Sequence, residues 1–224
     1  MSVNRKEFRQ HRFQPPRGAC DLLLIRHGES AAFVEGSDFP MKDGHGDPAL
    51  HPNGEAQAIA VGAYLKSWPI SAIYVTPLQR TNQTAAPLAQ HLGLTPVEIA
   101  DLREVCLGDW DGGLYRKKVA EQHPLFLKSK ASQEWGIIPN AETNLEVKTR
   151  VRRGLMQIAK AHPDQTVAVF VHGGVIGAAL SLATGADAFS FLGTNNGAIS
   201  RVVIDGERMI VRGFNDTHHL PEPS

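Results

Sequence analysis

Apolar residues along this chain gather in short runs that end abruptly in polar signals. The first is Leu22 to Ile25, four aliphatic side chains followed directly by Arg26, His27 and Gly28. Such a run suits a strand covered on both faces, as in a parallel sheet flanked by helices, although so short a stretch also allows a helix. Gly28 favours the strand, because it lets the backbone turn sharply or approach a ligand closely. In open α/β sheets the loops beyond the strand ends form the ligand crevice, which places His27 on a crevice floor. The pattern recurs twice. Ile70 to Val75 runs into Thr76-Pro77, and Val167 to Val171 runs into His172-Gly173-Gly174.

Between these strands the pattern predicts helices. One starts near His51-Pro52-Asn53-Gly54-Glu55, continues to about Lys66 and is closed by Trp68-Pro69. A second opens at Leu78, runs to about His91 and stops at Gly93, a glycine placed where helices commonly end. Arg80 then lies in the first turn, where a cation opposes the helix dipole, so its position predicts a partner anion. Thr143 and Glu146 fit a capping box, and Val147, Val151, Leu155, Ile158 and Ala159 follow at helical spacing to about Ala161. Val175 to Ala183 reads as a short apolar helix stopped at Gly185. Thr95 to Ile99 reads as a short strand. Two late strands, Ile199 to Ile204 and Met209 to Val211, flank an Asp205-Gly206 hairpin signal.

Three stretches lack periodicity. Residues 31–50 are rich in Gly, Pro and Asp and read as a long loop, which in a compact domain is usually functional. Residues 101–113 read as an ordered glycine-rich loop rather than a helix. Residues 114–142 are polar with scattered aromatics and read as an excursion or lid. The domain expected is residues 20–215, preceded by a disordered, basic and proline-containing segment at 1–19 and followed by a loose tail at 216–224.

Length and charge narrow the function. A chain of 224 residues with 42% apolar content fits one α/β domain with an ample core. Lys plus Arg equals Asp plus Glu, so no global field attracts nucleic acid or an anionic membrane, and any anion site must be built locally. No run of 18 apolar residues exists and the first residues carry no signal-peptide core. Cys20 and Cys106 show neither metal-ligand spacing nor disulfide density. A cytoplasmic protein with reduced thiols is the expectation.

Two strands each deliver a histidine followed by glycine, and two further segments deliver Arg80 and Glu104. Taken singly, Arg80 reads as a solvated helix residue, Glu104 as a loop carboxylate and His172 as a structural strand-end histidine; their ordered co-occurrence carries the meaning. Leu24-Ile25-Arg26-His27-Gly28-Glu29-Ser30, Val75 to Ala85 with Arg80, Leu102-Arg103-Glu104 with Gly108-Asp109-Trp110-Asp111-Gly112, and Val171-His172-Gly173-Gly174-Val175 together resemble the four motifs of the histidine phosphatase superfamily, also called phosphoglycerate mutase-like, over about residues 20–212. The fold implied is α/β: a three-layer sandwich with a mostly parallel central sheet, helices on both faces and an antiparallel hairpin near the C-terminus.

The resemblance also implies roles. His27 is the nucleophile, since a neutral imidazole attacks phosphorus effectively and a phosphohistidine splits one displacement into two easier ones. Arg26, Arg80 and His172 bind the phosphoryl group, because such a reaction is driven by positioning and charge. Glu104 gives a proton to the leaving oxygen and takes one from water. With this much side-chain charge no metal and no cofactor is required. The remaining histidines read as surface or structural, Asp109 and Asp111 as shaping the glycine turns, and Arg116-Lys117-Lys118 as a solvated run left outside the site, the alternative being that it reads substrate charge across the crevice.

His172 is followed by Gly173 rather than Asp, which resembles the branch that uses the glutamate. Glycolytic mutases have an asparagine six residues after the nucleophile and a longer segment between Glu104 and His172; Phe33 stands at that position here. The expected activity is therefore phosphomonoester hydrolysis of a small-molecule phosphate. A mutase-like phosphotransferase, supported by Arg116 and Lys117, and a non-catalytic phosphate-binding module are the alternatives. The resemblance also brings a possible homodimer. Substrate choice is assigned to residues 31–50 and 114–142, with Phe33, Phe39, Leu125, Phe126 and Trp135 as candidate contacts.

Overall fold

The computed structural model describes residues 7–221. In chain order its elements begin with β1 (Cys20–Arg26), a small hairpin of β2 (Met41–Lys42) and β3 (His45–Gly46), and α1 (Pro52–Leu65). Then come β4 (Ile70–Val75), α2 (Gln79–Leu92), β5 (Val97–Glu98), α3 (Leu114–Ala120), α4 (Pro124–Ser132) and α5 (Asn144–Ala161). The chain closes with β6 (Thr166–Val171), α6 (Gly173–Thr184), β7 (Ile199–Asp205) and β8 (Arg208–Asp216). Six strands form one sheet in the order β5-β4-β6-β1-β7-β8. The pairs β5-β4, β4-β6 and β6-β1 are parallel, while β1-β7 and β7-β8 are antiparallel.

Side-chain alternation explains why β1 reads as an unbroken apolar run. Leu22 and Leu24 point to one face and pack with Val147, Val151 and Leu155 of α5 and Val175 and Ile176 of α6. Leu23 and Ile25 point to the other, against Val61 and Leu65 of α1 and Ala85 and Leu88 of α2. Two cores therefore sandwich the sheet, and all these side chains are essentially removed from water. The Thr143 hydroxyl accepts from the Glu146 N–H, and the Glu146 carboxylate accepts from the Thr143 N–H, so α5 starts where the sequence pattern places it. Gly93 and Gly185 end α2 and α6 with left-handed φ of 66° and 72°.

Other expectations need correction. Residues 114–142 are largely helical: α3, α4 and a 3-10 turn at Trp135–Ile137. Ser129 is the buried residue of α4 and α3 has none, so neither helix writes an apolar stripe into the sequence. The 101–113 loop contains two 3-10 turns, Ala100–Leu102 and Gly108–Trp110. The long loop at 31–50 contains the β2-β3 hairpin. At the C-terminal end β8 runs to Asp216, and the residues beyond it are docked: His219 stacks on Tyr64 with ring centroids 5.1 Å apart, and Leu220 packs against the α1-α2 core. The loose tail expected from residue 216 therefore does not describe residues 216–220. Residues 7–18 are exposed without helix or strand, whereas residues 1–6 and 222–224 of the two expected terminal segments lie outside the described residues. Among the described residues no helix is long and apolar enough to cross a membrane.

Candidate active site

Because β4, β6 and β1 run parallel, their C-terminal ends share one edge of the sheet. Arg26 is paired with Val171, so the next residue of each strand, His27 and His172, stand side by side. Their rings meet edge to face with centroids 5.2 Å apart. The signature loop after β1 lies directly on the first turn of α1: a Cβ on Gly28 would come within 2.4 Å of the Gly54 carbonyl oxygen, and one on Gly54 within 2.0 Å of the Glu29 carbonyl oxygen. Only glycine fits at both positions.

His27 is held at three points. Its N–H donates to the Val171 carbonyl, its carbonyl accepts from the Asn196 side chain, and its ring Nδ1 lies 2.7 Å from the Gly28 carbonyl. A carbonyl can only accept, so the ring proton belongs on Nδ1 and Nε2 keeps its lone pair. The Arg80 Nε–H donates to that Nε2 at 3.2 Å. Burial, followed by the charges of Arg80 and Arg26, holds the His27 imidazole well below the ordinary histidine range. The ring is thus neutral at neutral pH.

The other four expected residues surround it. Arg80, buried in the first turn of α2, also donates from Nη1 to the Gly46 carbonyl at 2.9 Å and lies 3.8 Å from Asp47. Arg26 donates from Nη1 to the Thr194 carbonyl, and its buried Nε has no partner among the described residues. His172 is wholly buried, with Nε2 3.0 Å from the Thr76 hydroxyl and Nδ1 likewise unpartnered. Burial, then Arg80 and His27, push its imidazole well down as well. Glu104 accepts the Val105 N–H on Oε1 at 2.9 Å, while its Oε2 faces the Gly174 N–H at the start of α6. A Cβ at Gly174 would fall 2.6 Å from Glu104 Oε1, so this glycine gives the carboxylate its room.

Arg26, His27, Arg80 and Glu104 line a cavity of about 370 Å³. His172 is not among its lining residues, but its ring meets that of His27 edge to face beside it. The far wall comes from the segments expected to choose substrate, with Phe39, Tyr115 and Trp135 facing the cavity. Phe33 instead backs Phe39, and Phe126 backs Tyr115. Burial, with a smaller push from Glu104, raises the Tyr115 phenol to about 12, so it keeps its proton.

His45 and Arg150 escaped the sequence reading, which held Arg116 only as an alternative to a solvated cation. Arg116 is solvent-exposed and lines the cavity, donating to the Ala31 carbonyl at 2.7 Å and the Ser30 hydroxyl at 2.8 Å, over the Phe39 ring. His45 is buried and lines the cavity, its Nε2 3.0 Å from the Glu104 carbonyl. Arg150, from α5, donates to the carbonyls of Asp101, Arg103 and Glu104 and is paired with Glu142. Asp111 matches its expected role, accepting from the Gly46 and Leu107 N–H groups, and Asp109 accepts from Asn140. Among the described residues, Asp216, His218 and His219 form the one group with ligand atoms close enough to share a metal ion. It lies at the end of β8, outside the cavity lining.

The sequence model described as histidine phosphatase superfamily, branch 1, matches residues 22–217. A Bacillus subtilis protein named uncharacterized phosphatase PhoE is 30% identical over 203 residues, spanning 89% of this chain and 96% of that one. The metal-independent phosphoserine phosphatase of Arabidopsis thaliana is 30% identical over 207 residues, spanning 89% of this chain and 83% of its own. The solved structure of a mycobacterial glucosyl-3-phosphoglycerate phosphatase superposes with a TM-score of 0.72 at 23% identity, covering 89% of this chain and all of that one, a likeness of fold.

Proposed function

The chain belongs to the histidine phosphatase superfamily, branch 1, and is a phosphatase; from its site we propose a metal-independent phosphomonoester hydrolase that works on a small-molecule phosphate through a phosphohistidine. The observation that carries this reading is the neutral His27 ring, whose Nδ1 is tied to the Gly28 carbonyl and whose Nε2 lone pair faces the Arg80 guanidinium.

Nε2 attacks phosphorus in line with the departing ester oxygen. The phosphoryl group then occupies the position where Arg80 now donates, and the Arg80 N–H turns to its oxygens. Arg26 Nε and His172 Nδ1, buried and unpartnered among the described residues, are the groups suited to the same oxygens. These charge-assisted contacts strengthen as negative charge builds in the transition state. Glu104 protonates the leaving oxygen and, in the second half, takes the proton of the water that attacks the phosphohistidine. The Arabidopsis relative's name supports independence from metal and a phosphorylated amino acid as a model substrate class. The family resemblance extends the reading to a cytoplasmic homodimer without nucleic acid or membrane as partner.

Phosphate release from an aryl phosphate in the presence of a chelator tests the proposal. Turnover in the parent protein is expected to survive chelation, to fall by at least about a thousandfold in His27→Ala and by about a hundredfold or more in Glu104→Gln. Undiminished turnover in His27→Ala would overturn the mechanism. Exchange of phosphate between the hydroxyls of 3-phosphoglycerate, without release, would assign the mutase alternative.

A further inference from the structure

After β8 the chain turns, and the turn rests on the loop that holds the backbone of His27. The Leu220 N–H donates to the Thr217 carbonyl at 2.9 Å, and Gly197 makes room for Leu220, since a Cβ there would come within 3.0 Å of its side chain. Loop 194–197 is tied in both directions. The Asn195 N–H donates to Asn215 Oδ1 at 2.7 Å, while the Gly197 N–H donates to the Arg26 carbonyl at 3.0 Å and the Asn196 side chain to the His27 carbonyl at 2.9 Å. Whatever holds residues 215–220 in place therefore also holds the main chain at the cavity floor.

Asp216, His218 and His219 meet on this turn, with ligand atoms all within 4.8 Å of one another. Asp216 Oδ1 accepts from the His218 N–H at 3.1 Å and lies 2.6 Å from the His218 ring Nδ1. His219 is the informative member. Its Nε2 lies 3.1 Å from the Gly197 carbonyl, which can only accept, so the ring proton belongs on Nε2 and the lone pair on Nδ1. That Nδ1 is buried and has no hydrogen-bond partner among the described residues. A metal-ligating imidazole is arranged in the same way: one nitrogen donates to a backbone carbonyl, which fixes the tautomer and the ring, and the other offers its lone pair to the ion. Asp216 and His218 are exposed, which leaves an ion a path of entry.

The donor set selects the ion. Two imidazoles and one carboxylate suit zinc and its first-row divalent neighbours, whereas magnesium and calcium call for shells of oxygen. We propose that Asp216, His218 and His219 form a site for one divalent ion of the zinc class, and that the ion fastens the C-terminal turn onto loop 194–197 and through it onto the backbone of His27. The site lies outside the cavity lining, so the ion acts on the fold and takes no part in phosphoryl transfer. Hydrolysis without metal and a structural ion at this turn are therefore compatible, and neither rests on the other. An ion that binds the folded chain alone stabilises it by mass action.

The full chain, stripped with a chelator and dialysed free of it, tests the site. Zn²⁺ is titrated against the melting temperature and Co²⁺ against its visible absorption, with Mg²⁺ as the oxygen-seeking control. The parent is expected to bind one equivalent of Zn²⁺ or Co²⁺ saturably and to melt at a higher temperature with Zn²⁺, while Mg²⁺ leaves the melt unmoved. His218→Gln and Asp216→Asn, each shown to be folded by its metal-free melt, are expected to weaken Zn²⁺ binding at least about tenfold. In the parent, and not in these variants, Zn²⁺ is expected to slow amide hydrogen exchange across residues 194–197. Absence of saturable binding, an equal effect of Mg²⁺, or equal affinity in the parent and both variants overturns the site. Binding that leaves exchange at 194–197 unchanged overturns the fastening role.

Discussion

Two imidazoles buried in their neutral form make the active centre sensitive to acid before any carboxylate titrates. In the unfolded chain both His27 and His172 take up protons near pH 6.5, whereas in the folded protein both are held well below that value, chiefly by burial. Between the two values the unfolded state binds more protons, so stability is fully present above about pH 6.5 and is lost as pH falls through the folded values. Each group contributes a slope of at most about 1.4 kcal/mol per pH unit. Urea midpoints between pH 7 and 5.5 are expected to fall less steeply in His27→Gln than in the parent; identical slopes would mean that the ring does not stay neutral. At this scale the residues that meet around the cavity were legible because each follows the abrupt end of an apolar or turn-rich segment. For Arg116 two readings stayed open, since Arg-Lys-Lys has the same composition whether all three cations face bulk water or one of them, still exposed, lines the cavity.

Whole elements act on the chemistry through their backbones. The loop carrying Glu104 has little regular structure, and α5 holds its backbone through Arg150, which gathers three carbonyls of the 101–104 segment and is itself anchored by Glu142, while Arg153 pairs with the Asp101 side chain. Burial works to raise the Glu142 carboxyl, but the Arg150 hydrogen bond and charge, helped by the Cys106 N–H, outweigh it and leave it below the ordinary range. Arg150→Ala leaves that half-buried carboxylate without its cation and with only the Cys106 N–H, with an expected loss of about 3 kcal/mol in stability. Its kcat should fall as Glu104 loses its position. A loss of stability with kcat unchanged would show that the clasp serves the fold alone. The capping box of α5 stood in the sequence because its two partners are three residues apart. The Arg150 clasp did not, because its partners lie between 8 and 49 residues away. α3 and α4 were hidden for another reason: ring contacts such as Tyr115 on Trp135 and buried Trp110 on His123 hold them, and such contacts leave no period.

At the scale of the molecule, the layered α/β architecture was legible because strands buried on both faces and glycine-stopped helices alternate along the chain. Strand order was not, since no local pattern says that the first strand lies between two of the last. β1 is paired with β6 and β7. During synthesis this has a temporal consequence. Roughly 140 residues separate the end of β1 from the start of β6, and a ribosome adding about 5 to 20 residues per second takes roughly 7 to 30 s to make them. For that interval the strand leading into His27 is an apolar segment with both edges unpaired, the kind of segment that aggregates or recruits a chaperone. Nascent chains arrested before Thr166 emerges are expected to be cleaved by protease around residues 20–26, and chains arrested after Asp216 has emerged to be protected there; equal protection would mean that β1 finds another partner first. The earliest strand to be made is thus among the last to be secured, and the nascent enzyme depends most on its chaperones over the middle of its own translation.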